Sequence, residues 1–350
     1  MMMREHRDRE FVSSRRSFLR RAGAAGTLPF AHDVLAEEAD FGAPAPTSPR
    51  AFPAGHAESR IRALIESLDP RQRKRLVLPL DDRRRGRVEN NWHILDHRVG
   101  DTLDSDQQAL VREIFLSLHS PEFRDSAWEQ FVWDNRSRDA VSPEQVFGTA
   151  SIALFANEET EAGEFEFVLT GRHRTLRCES SESPEAAFGG PVFYGHAAGG
   201  FYEKPDHPGN VYWFQGERAN ELFARFEPDQ KKRALLEHSR GERGTRTVAW
   251  PSGPEDLPGF PIAELDDGQH GTLLELVDDL LLPFRTEDRK DARRRIENQL
   301  ADTRISYYRQ ENVGDDEIWD TWLLAGPELV WYFRGDPHVH VWVHVGGTAA

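Results

Sequence analysis

His338-Val339-His340-Val341-Trp342-Val343-His344-Val345 alternates strictly, and successive side chains of a strand point to opposite faces. Val339, Val341, Val343 and Val345 therefore share one face, and His338, His340, Trp342 and His344 share the other. The valine face belongs in the core. On the second face, two imidazoles at i and i+2 stand roughly 7 Å apart at Cα, near enough to converge on one ion. A half-buried antiparallel strand that carries histidine on its outer side explains the same pattern, so both readings stay open.

Just upstream, residues 318–324 and 328–334 read as two more strands. The links Ala325-Gly326-Pro327 and Gly335-Asp336-Pro337 are short enough to force antiparallel neighbours. Earlier still, Phe165, Phe167 and Leu169 alternate with Glu164, Glu166 and Val168, and this strand is expected to continue through Gly171-Arg172-His173-Arg174-Thr175-Leu176-Arg177-Cys178. Residues 184–210 are rich in Gly and Pro and carry His196 and His207. An irregular connection of that length inside a compact domain is expected to serve as a lid or site wall.

Helical spacing marks the remainder. Ile61, Leu64, Ile65 and Leu68 form one apolar face, Asp69-Pro70 opens a second helix, Asp104 with Gln107 opens a third, and Ser120-Pro121 opens a fourth. Two further helices use Leu273, Leu276, Val277 and Leu280, then Ala292, Ile296 and Leu300. Leu64, Leu68, Pro70, Gln72, Lys74 and Arg75 recur as Leu222, Phe226, Pro228, Gln230, Lys232 and Arg233 at a constant offset of 158. This is either a duplication or two acidic-Pro helix caps that converged. The expected fold class is α+β, a largely antiparallel sheet with flanking helices and a C-terminal β-meander.

The first residues read as an address. Ser14-Arg15-Arg16-Ser17-Phe18-Leu19-Arg20 has the twin-arginine form, and Val34-Leu35-Ala36 is a suitable cleavage end. The expected organisation is a leader over 1–36, a disordered Pro/Ala-rich linker over 37–57, and one α+β domain over 58–350, helical over 58–140 and mixed over 141–350. The expected product is periplasmic or secreted, delivered by the export machinery, with no membrane span. A formal charge of -16 argues against nucleic-acid and anionic-membrane partners. The lone cysteine, Cys178, allows no intramolecular disulfide, so packing holds the fold together.

Taken in order, Gly171-Arg172-His173, Phe188-Gly189-Gly190-Pro191, Glu227-Pro228-Asp229-Gln230 and His338-Val339-His340 resemble the bacterial family catalogued as domain of unknown function 3500. The resemblance covers nearly all of the chain after the leader and implies no reaction. Members of that family often have Gly-His-His where this chain has Gly171-Arg172-His173, and an acidic residue in the strand where this chain has Trp331-Tyr332. What carries over is His173, His338 and His340.

Nucleophile elbows, Walker loops, dinucleotide fingerprints and His-Glu-x-x-His are all absent from the sequence. Histidine remains. His173, His338 and His340 are the expected metal ligands, with His196, His207 and His344 as secondary candidates, for a divalent transition metal that is copper, iron or zinc. Metal uptake is expected to release protons, because imidazole ligates only when neutral. Arg172, Arg177, Tyr194 and Trp342 are candidates for holding a small-molecule ligand. Three readings follow: a periplasmic metal-dependent oxidoreductase; a non-catalytic binding protein whose aromatic groove is lined by Phe193, Tyr194, Phe201, Tyr202, Tyr212, Trp213 and Phe214; and a structural secreted domain whose histidines bind nothing. Catalytic residues cannot be named from sequence, and whether the chain is an enzyme stays open.

Overall fold

The computed structural model describes residues 56–136, 142–156, 164–180, 186–196, 210–313, 316 and 318–347. The leader, nearly all of the linker, and His207 with the second half of the expected lid lie outside the described residues.

Chain order runs α1 (Ala57–Ser67), α2 (Pro70–Leu76), β1 (Val77–Leu78), α3 (Val99–Thr102), α4 (Ser105–Ser117), α5 (Arg124–Asn135), α6 (Pro143–Phe147), β2 (Ser151–Ala156), β3 (Phe165–Gly171), β4 (Arg174–Glu179) and β5 (Val192–Gly195). It continues α7 (Trp213–Ala224), α8 (Pro228–Ala234), β6 (Leu235–Leu236), β7 (Phe260–Pro261), α9 (Asp267–Leu281), α10 (Thr286–Gln299), β8 (Arg304–Tyr308), β9 (Thr321–Gly326), β10 (Leu329–Arg334) and β11 (His340–Val345). The fold class is α+β, as expected. The helices start where side chains satisfy their first backbone donors: Asp69 with Gln72, Asp104 with Gln107, and Asp266 with Gln269 close capping boxes. One stripe of each longer helix is buried, such as Val111, Ile114 and Phe115 on α4 and Leu273, Leu276, Val277 and Leu280 on α9.

One sheet runs β1-β2-β3-β4-β5-β11-β10-β9-β8-β6, with β7 beside β8. Among the described strand pairs, only the two at the ends, β1 with β2 and β6 with β8, are parallel. The expected C-terminal meander is present, β9 pairing β10 and β10 pairing β11 antiparallel, although β9 starts at Thr321 rather than 318. Three expectations are corrected. The stretch after Leu169 is not one continuing strand but a hairpin, with Arg172-His173 as its two-residue turn and Gly171 opposite Arg174. The segment 184–210 is not wholly irregular, because β5 lies inside it and pairs with both β4 and β11 at the centre of the sheet. And β11 is covered on both faces: Val341 and Val343 are fully buried on one side, while on the other His340 and Trp342 are buried and His344 is half-buried. The strand sits between two neighbours and under cover on both faces, which a period-2 pattern alone does not reveal.

The offset of 158 is a structural repeat. It maps the bounds of α2 onto α8 and of β1 onto β6. It also maps Gln72, which donates to Gln107 Oε1 at 2.8 Å, onto Gln230, which donates to Gln269 Oε1 at 3.1 Å. Gln107 donates to the Ser67 carbonyl and Gln269 to the Arg225 carbonyl, again 158 apart. At the other end of each half a helix clasps a hairpin turn: Asn135 Oδ1 accepts from Arg172 N at 3.0 Å, and Gln299 Oε1 accepts from Glu328 N at 2.9 Å. The halves meet where β5 pairs with β11. Convergent caps would not reproduce these tertiary bonds.

His119, between α4 and α5, is buried, with Nδ1 2.7 Å from the Phe115 carbonyl. Burial, aided by the charge of Arg174, pushes its pKa down to about 3. The unfolded chain binds a proton at this ring below about pH 6.5 and the folded chain does not, so its contribution to stability is full above that pH and lost as pH falls toward 3. The loss between pH 7 and pH 5 is about 2 kcal/mol from this one group. Urea titrations at the two pH values should show His119→Leu losing less stability on acidification than the parent. Equal losses would contradict the assignment.

Candidate metal centre

The sheet has a helix-covered face and a face covered by loops. On the latter lie His173 at the β3–β4 turn and His338 and His340 at the start of β11. His173 takes φ 54, a left-handed conformation that costs a non-glycine residue of order 1–2 kcal/mol and that clusters at functional sites. Its neighbour is held by Asn135 through the Arg172 amide, and its ring by Asp134, whose Oδ2 lies 2.9 Å from Nδ1. Both side chains are fully buried. Gln130 donates to the same Asp134 oxygen at 2.5 Å, and its own carbonyl accepts from buried Arg174 at 2.8 Å. The opposite ring nitrogen, His173 Nε2, is buried with no hydrogen-bond partner among the described residues. A buried imidazole nitrogen left in that state is costly unless something occupies its lone pair.

His340 is built in the same way. Its Nδ1 lies 2.8 and 3.0 Å from the two carboxylate oxygens of Glu242. Arg334 NH2 also approaches this nitrogen, at 2.6 Å. We assign the ring proton to Nδ1, since a lone pair turned toward two carboxylate oxygens would be repelled. Glu242 is held in place by Arg334 NH1 at 2.9 Å and by the Trp342 indole, which donates to Oε1 at 2.8 Å. Burial pushes the Glu242 carboxyl up in spite of these partners. With Nδ1 protonated, His340 Nε2 keeps its lone pair and faces His338 Nε2 at 2.9 Å.

One nitrogen from each of His173, His338 and His340 lies within 4.8 Å of the others. Metal–imidazole bonds of about 2.0–2.1 Å hold ligand nitrogens no more than about 4.2 Å apart, so a small movement of the rings brings all three onto one ion. Two of the three rings bond a carboxylate through the other nitrogen, the arrangement that orients metal-bound histidine and raises its basicity. These residues fit a transition-metal ion. The expectation of proton release is revised. Burial, with neighbouring positive charge, holds His338 down to about 3 and His340 well below its ordinary value, so both rings are already neutral near pH 7.

The other candidates lie elsewhere. His196 is buried just after β5 with Nε2 2.6 Å from Asn210 Oδ1, outside the cluster of three. His344 stacks on Trp250 at 4.2 Å and faces the Val248 carbonyl. Arg172 is exposed at the hairpin turn beside His173. Arg177 is fully buried and donates to Glu166 and to the Arg85, Arg87 and Pro191 carbonyls, so its donors are occupied by the fold. Tyr194 lies on the helix-covered face and donates to Gln215 at 3.0 Å. Trp342 reaches the centre through Glu242 and through Phe193, whose ring lies 4.3 Å from its own and 5.2 Å from that of His340. Phe193, Tyr212, Trp213 and Phe214, named for an aromatic groove, are buried in the core; Phe201 and Tyr202 lie outside the described residues.

Sequence reading missed Asp134 and Glu242. Asp134 left a faint signal, since Gln130 and Asp134 are one helical turn apart beside the inward-facing Ala127 and Phe131. Glu242 left none, lying in an irregular stretch between β6 and β7.

Among known proteins, the model of a family described as "Protein of unknown function (DUF3500)" matches residues 52–340. No curated protein and no solved structure matches the chain.

Proposed function

This chain belongs to the DUF3500 family, and from that premise we propose that it holds a divalent transition metal through His173, His338 and His340 and acts on a small molecule as an exported, metal-dependent oxidoreductase. The observation that carries the reading is the unpartnered, buried His173 Nε2 converging with two further imidazole nitrogens over paired carboxylates. Asp134 and Glu242 would fix the rings of His173 and His340, and the buried surroundings would keep His338 and His340 neutral. A metal held by three imidazoles keeps an open position and supplies Lewis-acid polarisation or, for copper and iron, electron transfer.

Elemental analysis of protein isolated without chelators from exporting cells should find a stoichiometric transition metal. Protein that stays metal-free after incubation with copper, iron and zinc in turn would end the proposal.

Export is a separate part of the reading and rests on Arg15-Arg16 with Phe18-Leu19. The twin-arginine route carries folded proteins, which suits a metal acquired before export. Replacing both Arg15 and Arg16 with Lys should retain the protein in the cytoplasm, with the leader uncleaved near Ala36. Undiminished appearance of the double variant outside the cytoplasm would remove the assignment.

On the described residues, no helix is long and apolar enough to cross a membrane.

A further inference from the structure

A cleft of about 860 Å³ opens between the 82–87 loop and Thr245, lined by Asp82, Arg83, Arg84, Gly86, Arg87 and Thr245. Three guanidinium groups face one carboxylate there, in a chain whose formal charge is -16. Arg84 closes on Asp82 through two parallel bonds of 2.9 and 2.6 Å, which neutralises the one acid. Arg83 is exposed, and its side chain makes no ion pair among the described residues. Arg87 is exposed, its Nε 3.5 Å from Glu89 and its guanidinium over the Trp92 ring. With Asp82 set against Arg84 and Glu89 against Arg87, the cleft keeps the positive charge of Arg83, against the charge of the whole molecule, and the exposed Arg87 stands beside it held by a single ion-pair contact.

The loop that carries these arginines is anchored from beneath. Buried Arg177, paired with Glu166, donates to the Arg85 carbonyl at 2.5 Å and the Arg87 carbonyl at 2.6 Å. Arg85 Nε donates to the same Glu166 at 2.6 Å, and Thr245 Oγ1 accepts from the Val88 amide and donates to the Val88 carbonyl, each at 3.1 Å. A Cβ at Gly86 would meet nothing within 4 Å, so the cleft is open there. Anchoring of this kind lowers the entropic cost of closing on a ligand, and guanidinium forks match the oxygens of a tetrahedral dianion.

We propose that this cleft is an anion site for a phosphate group, free or as the head of a phosphate ester, held by Arg83 and Arg87. The site is independent of the histidine cluster.

The probe is inorganic phosphate, titrated calorimetrically into the full chain after the leader at low ionic strength. Saturable binding should be weakened at least tenfold in the Arg83→Ala/Arg87→Ala double variant, with the melting temperature unchanged. Arg83→Ala alone, at a side chain without an ion pair, should weaken it measurably and guards against a folding artefact. A phosphomonoester binding in competition with phosphate would identify the head-group source, and a failure to compete would restrict the site to the free ion. Absence of saturable phosphate binding, or binding undiminished in the double variant, overturns the proposal.

Discussion

His173→Ala and His340→Ala will each abolish tight divalent-metal binding, with a loss greater than the 10–100-fold that follows removal of an outer-shell partner. Each substitution removes a ligand that the fold has already oriented: His173 by Asp134 at 2.9 Å, His340 by Glu242 at 2.8 Å. His338→Ala should also abolish binding, since among the described residues three imidazoles converge and two hold a metal weakly. Glu242→Gln should cost about 10–100-fold, because the ring is still oriented but its basicity falls. His238 lies exposed beyond β6, and His238→Ala should change nothing. Competition against a chromogenic chelator measures the five variants and the parent on one scale, with melting curves to confirm that each is folded. Affinities of the three histidine variants within threefold of the parent would show that the cluster is an ordinary part of the sheet.

Val341→Asp is expected to prevent folding or to destabilise by more than about 4 kcal/mol, since it places an unpaired charge where no water reaches. Val341 is fully buried, opposite Tyr194 on β5 and Phe333 on β10. Trp342→Asp should be comparably damaging, because that side of β11 is buried too and its indole holds Glu242. Urea unfolding of whatever soluble protein is obtained gives the measurement. A half-buried strand would tolerate the second substitution and reject the first. An unchanged melting temperature for Val341→Asp would mean that the burial assigned to β11 is wrong.

The alternation at 338–345, the two short links before it and the helix caps were legible in the chain because they are local. A strand period of two, a capping box three residues long and a turn set by Gly and Pro are decided by backbone geometry within a few residues. The offset of 158 was legible as a pattern, but a pattern of caps could not separate duplication from convergence. The matching Gln72–Gln107 and Gln230–Gln269 bonds could.

By itself, then, the sequence determined that β11 is a strand pairing with β10, that the fold is α+β, and that His173, His338 and His340 are the residues to watch. Only the tertiary structure decided the rest. That His173 caps a hairpin depends on a left-handed φ stabilised by Asn135 and Asp134 from a helix some forty residues away. That β11 is covered on both faces depends on β5, drawn from a Gly/Pro-rich stretch with little strand signal, and on Glu242 and Trp250 from the loop layer. Arg177 becomes a loop anchor because Glu166 and three carbonyls surround it. These outcomes depend on which distant groups meet, and burial, charge pairing and carboxylate orientation of a histidine act through space across chain separations that no local period records.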